Sequence, residues 1–231
     1  MRPSVPALAL IVCGLSASSA EAGFRRYEAT LDNATWKSAA SPLSCSLQHE
    51  IPGFGRARFV SQHGRQPNLA FALQSDVAVP QLPGEVVMRA LAPAWRHDDE
   101  VSELGRMQAG IGKTLVSLEG ASGWRLLDEL EQGRFPTFFY DGLHDGADTV
   151  AIGLSAVRFS SSLQAFRKCI SQLLPYTFSD IAQSVLYFDH DKIEFNAGTR
   201  TRLEQIKTFF KADPRVDIVL VEGHTDSQGG R

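Results

Sequence analysis

Residues 55–73, GRARFVSQHGRQPNLAFAL, decide the fold. Ala57 and Phe59 alternate with arginines, and Leu69, Phe71 and Leu73 alternate with alanines. A period of two places one apolar face on each run, as in half-buried β-strands. Gly64 to Asn68 between them hold turn chemistry, so the two runs are expected to be antiparallel neighbours. Val86-Val87-Met88 and Thr114-Leu115-Val116-Ser117-Leu118 are shorter strand-like runs, with Pro52-Gly53 and Pro83-Gly84 as further turns. From Gly23 to about Gly120 the chain therefore reads as antiparallel and β-rich.

Two helices and two strands complete this part. Ser122 is the expected N-cap of the first helix, with Trp124, Leu127 and Leu130 on one face. Gly133 lies past its end and Pro136 bars continuation. Strands resume at Thr137 to Tyr140 and at Val150 to Ile152, joined by the turn-rich Asp141 to Asp148. A second helix, Ser161 to Leu174, presents Leu163, Phe166, Ile170 and Leu173, and Pro175 stops it.

After Pro175 the rhythm changes to strand, helix, strand. Ser184 to Phe188 is strand-like. A helix from about Ala197 to Lys211 carries Leu203, Ile206 and Phe210, capped either by Asn196 or by a box of Thr201 with Glu204. Asp213-Pro214 ends it, and Val216 to Glu222 reads as a buried strand. The fold class expected is α+β: a β-rich antiparallel domain over residues 23–174, then an incomplete α/β sandwich over 175–231, cut inside a loop.

The chain has 231 residues, 43% of them hydrophobic, and a formal charge of −3. Near-balanced charge excludes the concentrated basic excess of a nucleic-acid binder, so no nucleic-acid partner is expected. Gly 19 and Pro 11 are ordinary usage, which argues against long low-complexity tracts.

Residues 1–22 read as an export signal. Arg2 gives a minimal positive region, Val5 to Leu15 an apolar stretch, and Ala20-Glu21-Ala22 a cleavage site. The other readings are a single-pass anchor, for which the apolar stretch is short against the ~20 residues of a span, and lipidation at Cys13, which the bulky Val12 fits poorly. Cleavage after Ala22 leaves Cys45 and Cys169. Two thiols in an oxidising compartment most often pair; two buried free thiols are the alternative. A pair would pin the last helix of the first domain to its first strand region.

Several motifs mislead. Gly112-Lys113-Thr114 resembles the end of a phosphate loop, but Met107 stands where the first glycine belongs and a strand follows instead of a helix. His97 to Glu100, and Asp141, His144, Asp145 and Asp148, match neither a zinc nor an EF-hand spacing and read as solvated turns. No nucleophile elbow is present. No catalytic residue, metal or cofactor is expected.

The informative constellation is Val221-Glu222-Gly223-His224-Thr225-Asp226-Ser227-Gln228-Gly229-Gly230. It places a carboxylate, a hydroxyl and several backbone N–H groups at the end of a strand, where α/β sheets tend to hold ligands. Asp226 can take an ammonium while the amides take a carboxylate, which suits a zwitterionic ligand. Alternatively, Asp226 only caps the next turn through its own backbone.

This stretch resembles the OmpA-like peptidoglycan-binding family, whose hallmark is a strand followed by G-H-T-D-x-x-G. Tyr187-Phe188-Asp189-His190-Asp191, the helix and VDIVLVEGHTD fall in the family's order. The resemblance implies binding of the diaminopimelate unit of cell-wall stem peptides, with Asp226, Thr225, Asp191 and Gly229 as peptidoglycan-binding residues. An arginine in a later N-x-x-L-S-x-x-R-A segment would complete the family's site. The first domain resembles the N-terminal domain of the MotY family of sodium-type flagellar motor proteins. The residues that carry this are Leu43 to Leu47, Ile51 to Gly55, Ala94-Trp95-Arg96, Leu127 to Phe139 and Cys169 to Phe178.

That resemblance implies a structural, non-enzymatic protein of the periplasm, at the flagellar basal body on the outer-membrane side. Its implied partners are peptidoglycan, a MotX-like protein and stator components. The alternatives are a general OmpA-type envelope anchor and an exported hydrolase using His224 and Asp226.

Overall fold

The computed structural model describes residues 23–66, 68–79, 84–96, 100–141, 149–189, 192–216 and 219–223. Ten strands precede most of the helical structure. They are β1 (Phe24–Tyr27), β2 (Trp36–Ala40), β3 (Ser44–Ile51), β4 (Gly55–Gln62), β5 (Asn68–Val79), β6 (Glu85–Leu91), β7 (Ser102–Gln108), β8 (Gly112–Glu119), β9 (Phe135–Asp141) and β10 (Thr149–Gly153). The helices are α1 (Ala121–Glu131), α2 (Phe159–Ile170), the single turn α3 (Phe178–Ile181) and α4 (Ala197–Ala212). The strands form two five-stranded sheets, ordered β1-β10-β9-β6-β7 and β2-β3-β4-β5-β8. The architecture is α+β, as expected.

The period-two residues build the core. Cys45, Leu47, His49 and Ile51 on β3 face inward with Ala57 and Phe59 on β4 and Leu69, Phe71 and Leu73 on β5. Val86 and Met88 of β6, Phe138 and Tyr140 of β9 and Val150 and Ile152 of β10 belong to the same core from the other sheet. Phe71 stacks on Phe138 with ring centroids 5.6 Å apart, so an aromatic pair joins the sheets. Leu126, Leu127 and Leu130 of α1 and Phe159, Leu163 and Phe166 of α2 complete it.

Several boundaries differ from the sequence expectation. Helix α1 is capped by Gly120 at φ 59°, not by Ser122, which lies inside its first turn. Gly120 donates its N–H to the Leu69 carbonyl of β5, so the chain turns straight from β8 into the helix. Helix α2 starts two residues early because Phe159 is buried edge-on against Trp36, centroids 4.8 Å apart. It ends at Ile170, before Pro175. Strand β1 pairs parallel with β10, the exception to an otherwise antiparallel plan. The connection between these two strands is nearly the whole domain, long enough to permit parallel pairing. Gly112 to Thr114 open strand β8, as the strand reading required.

Cys45 and Cys169 are joined, Cα atoms 5.8 Å apart and 124 residues apart in sequence. The bond ties α2 to β3, the third strand instead of the first. His49 ties the sheets at a second point. Its Nδ1 donates to the Thr35 carbonyl at 2.8 Å and its Nε2 accepts from the Ser155 N–H at 3.4 Å. Trp36 stacks on the imidazole at 4.5 Å and donates from Nε1 to the Ser155 carbonyl at 2.8 Å. That geometry requires a neutral ring. Burial pushes the His49 pKa below 6.5, against smaller opposing effects of Thr35 and Glu50.

Two predictions follow from these ties. Replacing Cys169 by Ser should lower unfolding free energy by about 5 kcal/mol, the chain-entropy value for so long a loop. Urea unfolding of the oxidised protein and the variant measures this, and an unchanged midpoint would show the bond to be idle. For His49 the folded state holds the neutral form, so the unfolded state binds the extra proton once pH drops below about 6.5. Stability should be full above that pH and fall below it by up to about 1.4 kcal/mol per pH unit. A His49→Gln variant should lack this slope between pH 6.5 and 5; the same slope in both would assign it to another group.

Candidate functional site

The expected ligand residues Asp191, Thr225, Asp226 and Gly229 lie outside the described residues, as do His190, His224 and the leader 1–22. The residues flanking them are described and show how the segment is built. Tyr176 follows directly on Pro175, and Thr177 with Asp180 forms a capping box around α3. The chain then runs to a single antiparallel bridge, Phe188 with Phe195, whose rings lie 5.0 Å apart.

The strand expected at Ser184 to Phe188 is not formed. Instead the buried Thr199 hydroxyl accepts from the Tyr187 N–H and donates to the Tyr187 carbonyl, both at 2.9 Å. One side chain thus satisfies both backbone groups that a sheet neighbour would have taken. Val216 to Glu222 likewise is no buried strand among the described residues. Leu220 and Val221 are 82% and 81% exposed, and residues 219–223 lie outside any strand. Apolar composition alone does not make a strand when no neighbouring strand completes its hydrogen bonds.

Helix α4 is where the sequence placed it. Asn196 is its cap, with Oδ1 accepting from the Thr199 N–H at 2.8 Å, which settles the choice against Thr201. Leu203, Ile206 and Phe210 line an open apolar depression of about 510 Å³. The helix buries Thr199 and Phe209 instead, neither of which is among the expected apolar face of Leu203, Ile206 and Phe210. Thr177-Phe178-Ser179-Asp180 was a legible capping box that the sequence reading passed over.

The charged groups here are internally committed. The Thr177 backbone N–H and hydroxyl, then Arg65, hold Asp180 down to about 2. Bonding to the Arg215 guanidinium and backbone holds Asp213 at about 2. Asp189 lies 3.7 Å from Lys192. Asp180 and Asp213 therefore stay ionised through the neutral range, each held by groups within this segment. Among the described residues no three His, Cys, Asp or Glu converge as a metal site, and no helix is long and apolar enough to cross a membrane. Of the acidic clusters that could suggest a metal, Glu100 and Asp141 are exposed and the rest lie outside the described residues.

Comparison with known proteins gives the fold its family. Residues 27–175, which include nearly all of the two-sheet unit, match the family model of the MotY N-terminal domain. Over 221 residues the chain is 34% identical to the sodium-type flagellar protein MotY of Vibrio parahaemolyticus serotype O3:K6 (strain RIMD 2210633), covering 94% of this chain and 74% of that protein. The match extends past Pro175 into the helical segment. On both counts the chain belongs to the MotY family of flagellar motor proteins.

Proposed function

We propose that this protein is a non-enzymatic structural part of the flagellar motor that grips peptidoglycan and helps retain stator units around the basal body. Residues 23–174 form the motor-facing domain, and residues 175–231 belong to an OmpA-like cell-wall-binding domain. Export through the leader 1–22 places both in the periplasm, toward the outer membrane, where a MotX-like protein and the basal body are the partners of the first domain.

The observation that carries this reading is an order of residues. Tyr187-Phe188-Asp189-His190-Asp191, helix α4 and Gly223-His224-Thr225-Asp226 follow one another behind a MotY-type β-domain. A general envelope anchor would need the same C-terminal order but not that β-domain, so it is the lesser reading. In the proposed site Asp226 accepts the diaminopimelate ammonium in charge-assisted hydrogen bonds. Thr225, the amides near Gly229, and Asp191 shape the pocket around it.

The test is Asp226→Ala in the full-length protein. Losing one partner of a desolvated charge pair costs about 2–5 kcal/mol, a thirtyfold or greater loss at the low end. Purified sacculi should no longer pull the variant down while its circular dichroism stays unchanged. Cells carrying it should keep their flagella but lose stator units from the motor. Undiminished sacculus binding would move the site elsewhere, and normal stator numbers without binding would separate anchoring from retention.

A further inference from the structure

Past α2 the chain does not leave the β-sandwich freely. The Leu174 N–H donates to the Pro42 carbonyl at 3.0 Å, and the Leu174 carbonyl accepts from the Gly64 N–H at 2.9 Å. Leu174 is thereby held between the β2–β3 and β4–β5 turns. His63 Nδ1 then donates to the Tyr176 carbonyl at 2.9 Å, and Arg65 reaches Asp180 at 2.7 Å. Gly64 has φ 141°, and a Cβ added there would meet the Thr177 side chain at 3.4 Å. Its backbone freedom is what lets the turn lie so close to the segment.

A second set of contacts lies on α4. The His63 ring packs edge-on against Phe209 with centroids 5.5 Å apart. Phe178 meets the Phe209 ring at 5.9 Å, and Phe209 is 1% exposed. The Tyr176 hydroxyl donates to the Gln205 carbonyl at 3.2 Å, so the segment that His63 holds also holds α4. A single pivot would let a helix about 24 Å long swing. Leu174 and Phe209, far apart in sequence and gripped by the same turn, remove that freedom. A flexible linker has the opposite character, polar and with its backbone in water.

We propose that the β4–β5 turn is a latch that fixes the segment after Leu174, together with α4, to the β-sandwich, so that the protein acts as a rigid strut and not as two tethered domains. What each end of the strut holds rests on the function proposed above; the rigidity does not. The exposed Arg65–Asp180 ion pair contributes least, because solvent screens it. The buried Phe209 and the backbone bonds at Leu174 carry the joint.

Backbone ¹⁵N relaxation of the full-length protein tests this. The wild-type β-sandwich and α4 should share one rotational correlation time. With His63→Ala and Arg65→Glu combined, α4 should tumble at least twofold faster than the sandwich. Phe209→Ala should loosen α4 in the same way from the other side, with the sandwich resonances unmoved, and serves if the turn itself is disturbed by the first pair. Two correlation times in the wild type, or one in both variants, would overturn the latch. Sacculus pull-down on the same samples keeps the two ideas apart: wild type that tumbles as one body without binding sacculi refutes anchoring alone, and wild type that binds while its parts tumble independently refutes the strut alone.

Discussion

Cys169 sits at the C-terminal end of α2, and its bond to Cys45 fixes where the chain can go next. Cys45 is on β3, which pairs with β2 on one side and β4 on the other, so the constraint acts inside a sheet and not at its edge. A cross-link closing so long a loop is worth about 5 kcal/mol in the chain-entropy model. That is a large share of the ~5–15 kcal/mol by which whole domains are stable. Burial of Phe159, Leu163 and Phe166 contributes about 1.5–3 kcal/mol each. It packs α2 against the core but does not determine where the helix's last turn lies. The disulfide does, and five residues later Leu174 is bonded to the adjoining turns.

The two sheets are held in register by a small polar assembly inside an apolar core. Ser155 gives its N–H to His49 and its carbonyl to the Trp36 indole. One backbone residue beyond β10 is thus clamped by side chains from β2 and β3. Such an assembly stabilises only while every member is satisfied, which is why proton uptake by His49 should open it. Glu129, also buried, is likewise satisfied, by Ser102 and Arg134. Among the described residues the Ser61 hydroxyl is the buried side-chain atom left without a partner, opposite Cys45 on the neighbouring strand.

The strands that bury apolar side chains on alternate positions were legible, because alternation is the direct imprint of a half-buried sheet. Residues 57–59 and 69–73 show it plainly. Strand β3 hid because His49 stands in its inward series, and β7 because an edge strand with mostly polar, exposed residues carries no periodic signal. The helix starts were misjudged for local reasons: Gly120 and Arg158 sit at positive φ, at 59° and 57°, where no side-chain cap announces the helix. In the C-terminal segment, apolar composition suggested two strands that are not formed among the described residues. Strand formation depends on a neighbour, which composition cannot display. The candidate ligand residues were readable only as a motif, since chemistry at Asp226 is set by spacing in the chain. The joint at His63 and Phe209 was not readable at all, because it depends on residues 146 positions apart meeting in space.

The account stands or falls on the link between Cys45 and Cys169 in the exported protein. Alkylating free thiols at the moment of lysis, then mapping proteolytic peptides without reduction, reads that link directly. A single cross-linked species joining the Cys45 and Cys169 peptides, with neither thiol alkylated, is the result predicted here. Two alkylated cysteines in a folded protein would contradict it, and would leave the end of α2 and everything after it without its fixed point.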